Sequence, residues 1–158
     1  MADTIPFQTP TLDHVCDFAV AISAPLEVGQ TPQGLRRMIP ITGGVISGPR
    51  MQGKVLPGGA DFQLIVGGTT AQLDARYVIE FADGARAFVQ NTALRFATAD
   101  TTARLVRGDK VDPSEVYFRC QPRFETAAPQ WAWLMESQFI GTGVRLPDAV
   151  HMRFYRVV

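Results

Sequence analysis

Half of the glycines in this chain, seven of fourteen, fall in the 28 residues from Gly34 to Asp61, GLRRMIPITGGVISGPRMQGKVLPGGAD. β-Branched and apolar residues sit between them. The run is too apolar for disorder and too irregular for a flexible linker. Glycine has no Cβ, so at this density it marks strands that bend, bulge or lie close to another backbone. The segment therefore predicts tightly turned β-structure, with Gly43-Gly44, Gly48-Pro49 and Gly58-Gly59 as bulges and turns. A phosphate-cradling loop does not fit, because GxxxxGK[ST] is absent and no GxGxxG opens a helix.

The remaining sequence reads the same way. His14 to Ile22, Arg37 to Ile46, Phe62 to Val66, Leu73 to Phe81, Arg86 to Leu94, Glu115 to Phe124, Gln130 to Ile140 and Val150 to Val157 all have strand-like composition. The clusters PLEVGQTPQG, PGGAD, GGTT, DG, RGDKVDPS, GTG and LPD read as the turns between them. Helical periodicity is confined to one short stretch near Asp100 to Val106, with Asp100 or Thr101 as N-cap and Gly108 as stop. About eight to ten strands with little helix predict an all-β fold, a closed or nearly closed antiparallel barrel of calycin-like type. The 158 residues make one domain, with residues 1–11 expected as a poorly ordered N-terminal extension.

Charge narrows the partners. Fifteen basic residues balance fifteen acidic ones, which gives neither a nucleic-acid footprint nor a polybasic membrane surface. No apolar run nears the ~20 residues that span a bilayer, and MADTIPFQTP lacks the pattern of a secretory signal. Cys16 and Cys120 lie in apolar strand-like runs and read as buried free thiols. Nothing demands an oxidising compartment, so a cytoplasmic location is expected.

One hairpin can be written residue by residue. Asp83-Gly84 is a type I′ turn signal, which pairs Phe81 with Arg86, Ile79 with Phe88 and Tyr77 with Gln90 on one face. The other face then pairs Glu80 with Ala87, Val78 with Val89 and Arg76 with Asn91. The same alternation recurs in Phe62, Leu64 and Val66 against Asp61, Gln63 and Ile65, in Val116, Phe118 and Cys120 against Tyr117, Arg119 and Gln121, and in Met152 and Phe154 against His151, Arg153 and Tyr155. In one reading the apolar faces fill the barrel and the charged faces meet water. In the other, part of the mixed face lines a cavity where Arg76, Glu80, Asp61 and His151 converge on a ligand.

At these residues the chain resembles a known family. GLRRMIPITGGVISGPRMQGKVLPGGADFQ, LDARYVIEFADGARAFVQN, VYFRCQPRFET and WAWLMESQFIGTG are similar to blocks of the domain-of-unknown-function family DUF3237, also called the UPF0311 group. The likeness runs from about Cys16 to the C-terminus and implies a compact single-domain β-barrel with no assigned reaction, metal or cofactor. The family's recurrent positions fall on Arg37, Gly59, Asp61, Arg76, Tyr77, Glu80, Asp83, Gly84, Arg119, Trp133 and Leu134, among others. Met135 departs from the pattern, where the family often has Asn.

The candidate site follows from chemistry and resemblance together. Asp61 and Glu80 are the candidate acid/base groups, since a carboxyl's environment decides whether it gives or takes a proton. Arg37 or Arg76 would bind a ligand carboxylate or phenolate. Tyr77 and Trp133 would wall the pocket, with Arg119 and His151 as further ligand contacts. His14 and His151 fall on the first and last strands, but no HxH, HExxH or clustered Cys/His spacing supports a metal site. The expected function is binding of a small apolar metabolite, aromatic or carboxylated, with cofactor-independent isomerase, cyclase or lyase chemistry at the same site. A non-enzymatic carrier, or a homo-oligomeric scaffold using an exposed sheet face, is the alternative.

Overall fold

The computed structural model of the protein describes residues 5–158. Ten strands follow in order: β1 (Leu12–Ile22), β2 (Leu26–Thr31), β3 (Gly34–Ser47), β4 (Gly53–Val55), β5 (Ala60–Val66), β6 (Thr70–Phe81), β7 (Arg86–Phe96), β8 (Tyr117–Thr126), β9 (Phe139–Arg145) and β10 (Ala149–Val157). A helix, α1 (Ala99–Val106), and a 3-10 turn at Pro113–Glu115 connect β7 to β8, and a second 3-10 turn at Pro129–Leu134 precedes β9.

Antiparallel pairing carries the sheet round from β1 through β10, β9, β8, β7 and β6 to β3, which pairs with β1 and closes the ring. β3 and β6 are long enough to be bridged twice, by β5 at one end and β4 at the other. β2 lies outside the ring and pairs β3 alone. The result is a closed eight-stranded barrel with two extra strands. Closure depends on close approach at Gly44, where a Cβ would stand 2.5 Å from the Ala19 carbonyl oxygen. A bulge between His14 and Cys16 turns Val15 and Cys16 both inward.

The barrel interior is divided along its length. One end is solid: Phe18 meets Phe154 edge-on at 4.9 Å, Phe124 meets Phe139 at 5.2 Å, and Met51 and Leu134 are buried among them. Each such side chain contributes about 2–3 kcal/mol by leaving water. The Pro129–Leu134 turn covers this end, with Trp131 stacked on Phe81 at 4.0 Å. The GTG sequence read as a turn lies inside β9 instead. A Cβ at Gly141 would stand 2.5 Å from the Phe154 ring, so its absence makes room for that ring.

Four other expectations are corrected. Gln130 to Ile140 is not one strand, because the tryptophans are used to cap the barrel. The PLEVGQTPQG stretch contains β2. The helix starts one residue earlier than predicted, at Ala99, because the Thr98 hydroxyl accepts the Thr101 N–H and supplies the cap. The β6–β7 hairpin is out by one residue from the predicted register, with Glu80 opposite Arg86 and Tyr77 opposite Val89. Gly84 alone adopts positive φ, its N–H donates to Phe81 O, and Phe81 N–H donates to Ala85 O. That is a type I turn with a following glycine bulge. The Asp83 carboxylate holds it by accepting from Ala85 N–H at 2.9 Å, Trp131 Nε1 at 2.9 Å and Gln130 Nε2 at 3.1 Å. The shift turns Asn91 into the barrel.

Candidate functional site: a polar-ended cavity in the barrel

The other end of the barrel contains a cavity, lined by apolar residues including Ile39, Ile41, Leu73, Phe118 and Met152, and by Asp61, Gln63, Tyr77, Asn91, Arg95 and Arg145. About 50 Å³ is open to the centres of water molecules, several times the ~10–15 Å³ that one enclosed water needs. Directly opposed residues in a ladder share a face. Asp61 faces both Ile39 on β3 and Ala75 on β6, and Ile39 is buried inside, so Asp61 points inward too. β5 thus turns its polar set inward and leaves Phe62 44% exposed, the reverse of the reading in which apolar faces fill the barrel. β8 and β10 follow that reading, with Phe118, Cys120, Met152 and Phe154 buried.

Asp61 is set by a relay. Arg37 Nε donates to Gln63 Oε1 at 3.0 Å, and Gln63 Nε2 donates to Asp61 Oδ2 at 2.6 Å. A guanidinium carries only donors, so the buried Gln63 amide must turn its oxygen to Arg37 and its nitrogen to Asp61. Oδ2 is thereby committed as an acceptor. Oδ1 makes no hydrogen bond within the protein and is the oxygen left to carry a proton. Burial holds the Asp61 carboxyl above its ordinary range, against the lowering effects of the Gln63 bond and the Arg95 charge.

Three guanidiniums surround this one buried carboxyl. Burial and the nearby charges of Arg37 and Arg145 push Arg95 down to about 10, and burial with the Arg37 charge lowers Arg145. Both remain cations at neutral pH, so the lining is net positive. Arg145 Nη1 is buried without a hydrogen bond. Deeper in, Tyr77 Oη and Asn91 Oδ1 are also buried without one, while Asn91 Nδ2 rests 3.2 Å from the Met152 sulfur. Burial holds the Tyr77 hydroxyl protonated and pushes the nearby Cys120 thiol up to about 12. Among the described residues five buried side-chain polar atoms lack a partner, and four of them belong to residues lining this cavity.

Of the residues singled out from sequence, Asp61 and Tyr77 line the cavity and Arg37 stands behind Gln63. The others lie elsewhere. Glu80 is on the outer face, paired with Lys54 and Arg86 at 3.0 Å each, and those cations hold its carboxyl below the usual range. Arg76 is outside as well, paired with Asp74 at 3.0 Å. Both alternate with the inward Tyr77 and Ile79, so the pleat excludes them. His151 and Arg119 are exposed for the same reason, beside the inward Met152 and Cys120, and Arg119 lies over the Tyr117 ring at 5.1 Å. Trp133 caps the solid end, between Arg50 and Phe139. His14 and His151 lie on paired strands, but His14 faces Tyr155, four residues and about 13 Å along β10 from His151. Gln63, Asn91, Arg95 and Arg145 went unrecognised. Arg95 and Arg145 sit at the tail of inward alternating series, Val89-Asn91-Ala93-Arg95 and Gly141-Gly143-Arg145, and that continuation was the available signal.

The fold and site define a closed antiparallel β-barrel whose interior, solid at one end, holds a cationic, acid-bearing cavity at the other. The chain belongs to the family described as protein of unknown function (DUF3237), whose profile matches residues 10–157. A UPF0311 protein of Rhodopseudomonas palustris is 40% identical over 152 residues, 95% of this chain and 99% of that one. Its crystal structure matches with a TM-score of 0.91 at 38% identity, covering 96% of this chain and all of the other. A protein of Acinetobacter baumannii described as β-barrel like matches at 0.86 with 34% identity, over 98% and 100% of the two chains. A Penicillium herquei protein described as an enzyme shares the fold at 0.73 with 19% identity, over 98% and 99%.

Proposed function

We propose that the barrel cavity binds a small, largely apolar metabolite carrying a negative charge, and that Asp61 exchanges a proton with it. The concentration of four unpartnered buried polar atoms at this one cavity carries the reading. No protein group pairs these four atoms, and the cavity beside them is roomy enough for water, so a ligand of the right shape can take the place of water at all four. Arg95 and Arg145 supply the anion contact, and Ile39, Ile41, Leu73 and Phe118 supply the apolar walls. Asp61 is the one carboxyl in the lining and burial raises its pKa, so isomerisation, cyclisation or elimination would run through Oδ1 without a cofactor.

A thermal-shift screen over aromatic acids, phenols and lactones tests the binding. The expected result is stabilisation by anionic members, lost in Arg145→Met. No stabilisation by any class, or equal stabilisation of the variant, would overturn it. The carrier reading shares the cavity and differs in one outcome: Asp61→Asn abolishes turnover while binding persists if the protein is an enzyme, whereas a carrier has no turnover to lose.

A further inference from the structure

The cavity's polar groups are sorted by depth. Along β7 the inward series runs Val89, Asn91, Ala93, Arg95, and Arg95 stands four residues, about 13 Å of strand, from Asn91. Ala93 and its opposite neighbour Leu73 are the apolar step between them. Arg95 and Arg145 act on each other and on Asp61, which lies between the two ends, opposite Ala75 on the rung of Asn91, and reaches Arg37 through Gln63. Asn91, Tyr77 and the Cys120 thiol are the neutral polar groups at the deeper end, and each is fully or nearly fully buried.

The unpartnered atoms ask for different things. Arg145 Nη1 can only donate, so it calls for an acceptor, best an anion. Asn91 has its nitrogen on Met152, so Oδ1 can only accept. Tyr77 Oη can do both. A hydroxyl serves the two deep atoms at once, taking the Tyr77 proton on its oxygen and giving its own to Asn91 Oδ1. An ammonium has no lone pair to accept from Tyr77 and would meet the field of three guanidiniums. A second carboxylate has no proton for Asn91 Oδ1 and would be buried away from the cations.

Resting on the proposed anion-binding role of this cavity, we infer that its ligand is a hydroxy acid, with the carboxylate at Arg95 and Arg145, the hydroxyl at Asn91 and Tyr77, and an apolar body about one ring long between them. A site with buried groups placed for a hydroxyl rejects the analogue that lacks it far more strongly than an apolar pocket would, because the protein groups are then left unpaired.

Isothermal titration of the full chain with two matched probe sets tests this: benzoate, 4-hydroxybenzoate and phenol, and hexanoate, 6-hydroxyhexanoate and hexanol. In at least one set the hydroxy acid should bind tenfold or more tightly than either single-ended probe. Asn91→Leu should erase the advantage over the plain acid, by weakening the hydroxy acid, tightening the plain acid, or both. Tyr77→Phe, the smaller change, should shrink the same advantage and serves if Asn91→Leu does not fold. Acids that bind equally with and without the hydroxyl would overturn the inference and leave the anion-binding reading standing. Binding of no acid in either set would overturn both.

Discussion

Asp61 is the residue on which the proposed chemistry turns, and its environment makes a signed prediction. Burial raises its carboxyl pKa in the folded chain above the unfolded value, so the folded state holds that proton more tightly. The resulting stability is fully present below the unfolded pKa and is lost as pH rises through the raised folded value. Asn mimics the neutral acid at every pH. Asp61→Asn is therefore expected to melt higher than the parent at pH 8, with the difference shrinking towards pH 4. A parent that melts higher at pH 8 would mean that Arg95 and Arg145 hold the carboxylate ionised. The residue also shows how far sequence could reach. Asp61, Tyr77 and Arg37 stood out because their types and motif positions were unusual. Arg95 and Arg145 did not, since an arginine near a strand end reads as surface until the strand's inward face is known.

At the level of elements, the faces of β5 and the β6–β7 hairpin decide which residues meet the cavity. Strand existence was legible from composition and alternation for β1, β3, β5, β6, β7, β8 and β10. Face assignment was not, because a slip of one residue inverts every side chain. The slip at Asp83-Gly84 came from a three-residue loop that Gln130 and Trp131, 47 and 48 positions away, help to fix. No local pattern encodes those partners. On β5 the apolar-interior reading fails and the cavity-lining reading holds for Asp61: Phe62 is the more apolar choice for an interior, yet the barrel turns Asp61 and Gln63 there. Two stability measurements follow. Phe62→Ser should change the urea unfolding free energy by less than about 1 kcal/mol, as befits a surface site. Trp131→Ala should cost about 3 kcal/mol, since it removes both the Phe81 stack and the Asp83 hydrogen bond. A large loss at Phe62 with little at Trp131 would contradict the faces described.

For the whole molecule, the barrel joins a solidly packed end to an end whose cavity is lined by charged and polar groups. Ring closure gives every strand of the barrel a neighbour on each side, with only β2 outside it, and the Pro129–Leu134 cap with its aromatic cluster anchors the solid end. The cavity end can then carry unpaired polar groups and a perturbed carboxyl without loss of the fold. An anion placed beside Asp61 raises its pKa further, so binding should draw a proton from solution. Titration calorimetry in buffers of different ionisation enthalpy should show proton uptake that is largest between the free and the ligand-raised pKa of Asp61, and none in Asp61→Asn. Affinity should weaken as pH rises through that interval.

The central claim is that the ligand sits inside the barrel between the arginine cluster and the Tyr77–Asn91 floor. A crystal structure grown with the tightest-binding acid found by titration tests it most directly. The expected result is ligand density in the cavity, with its carboxylate within hydrogen-bond distance of Arg145 Nη1 and an atom of its body facing Asp61 Oδ1. Density for the acid on the outer face, with only ordered water against Arg145, Asp61, Tyr77 and Asn91, would contradict it.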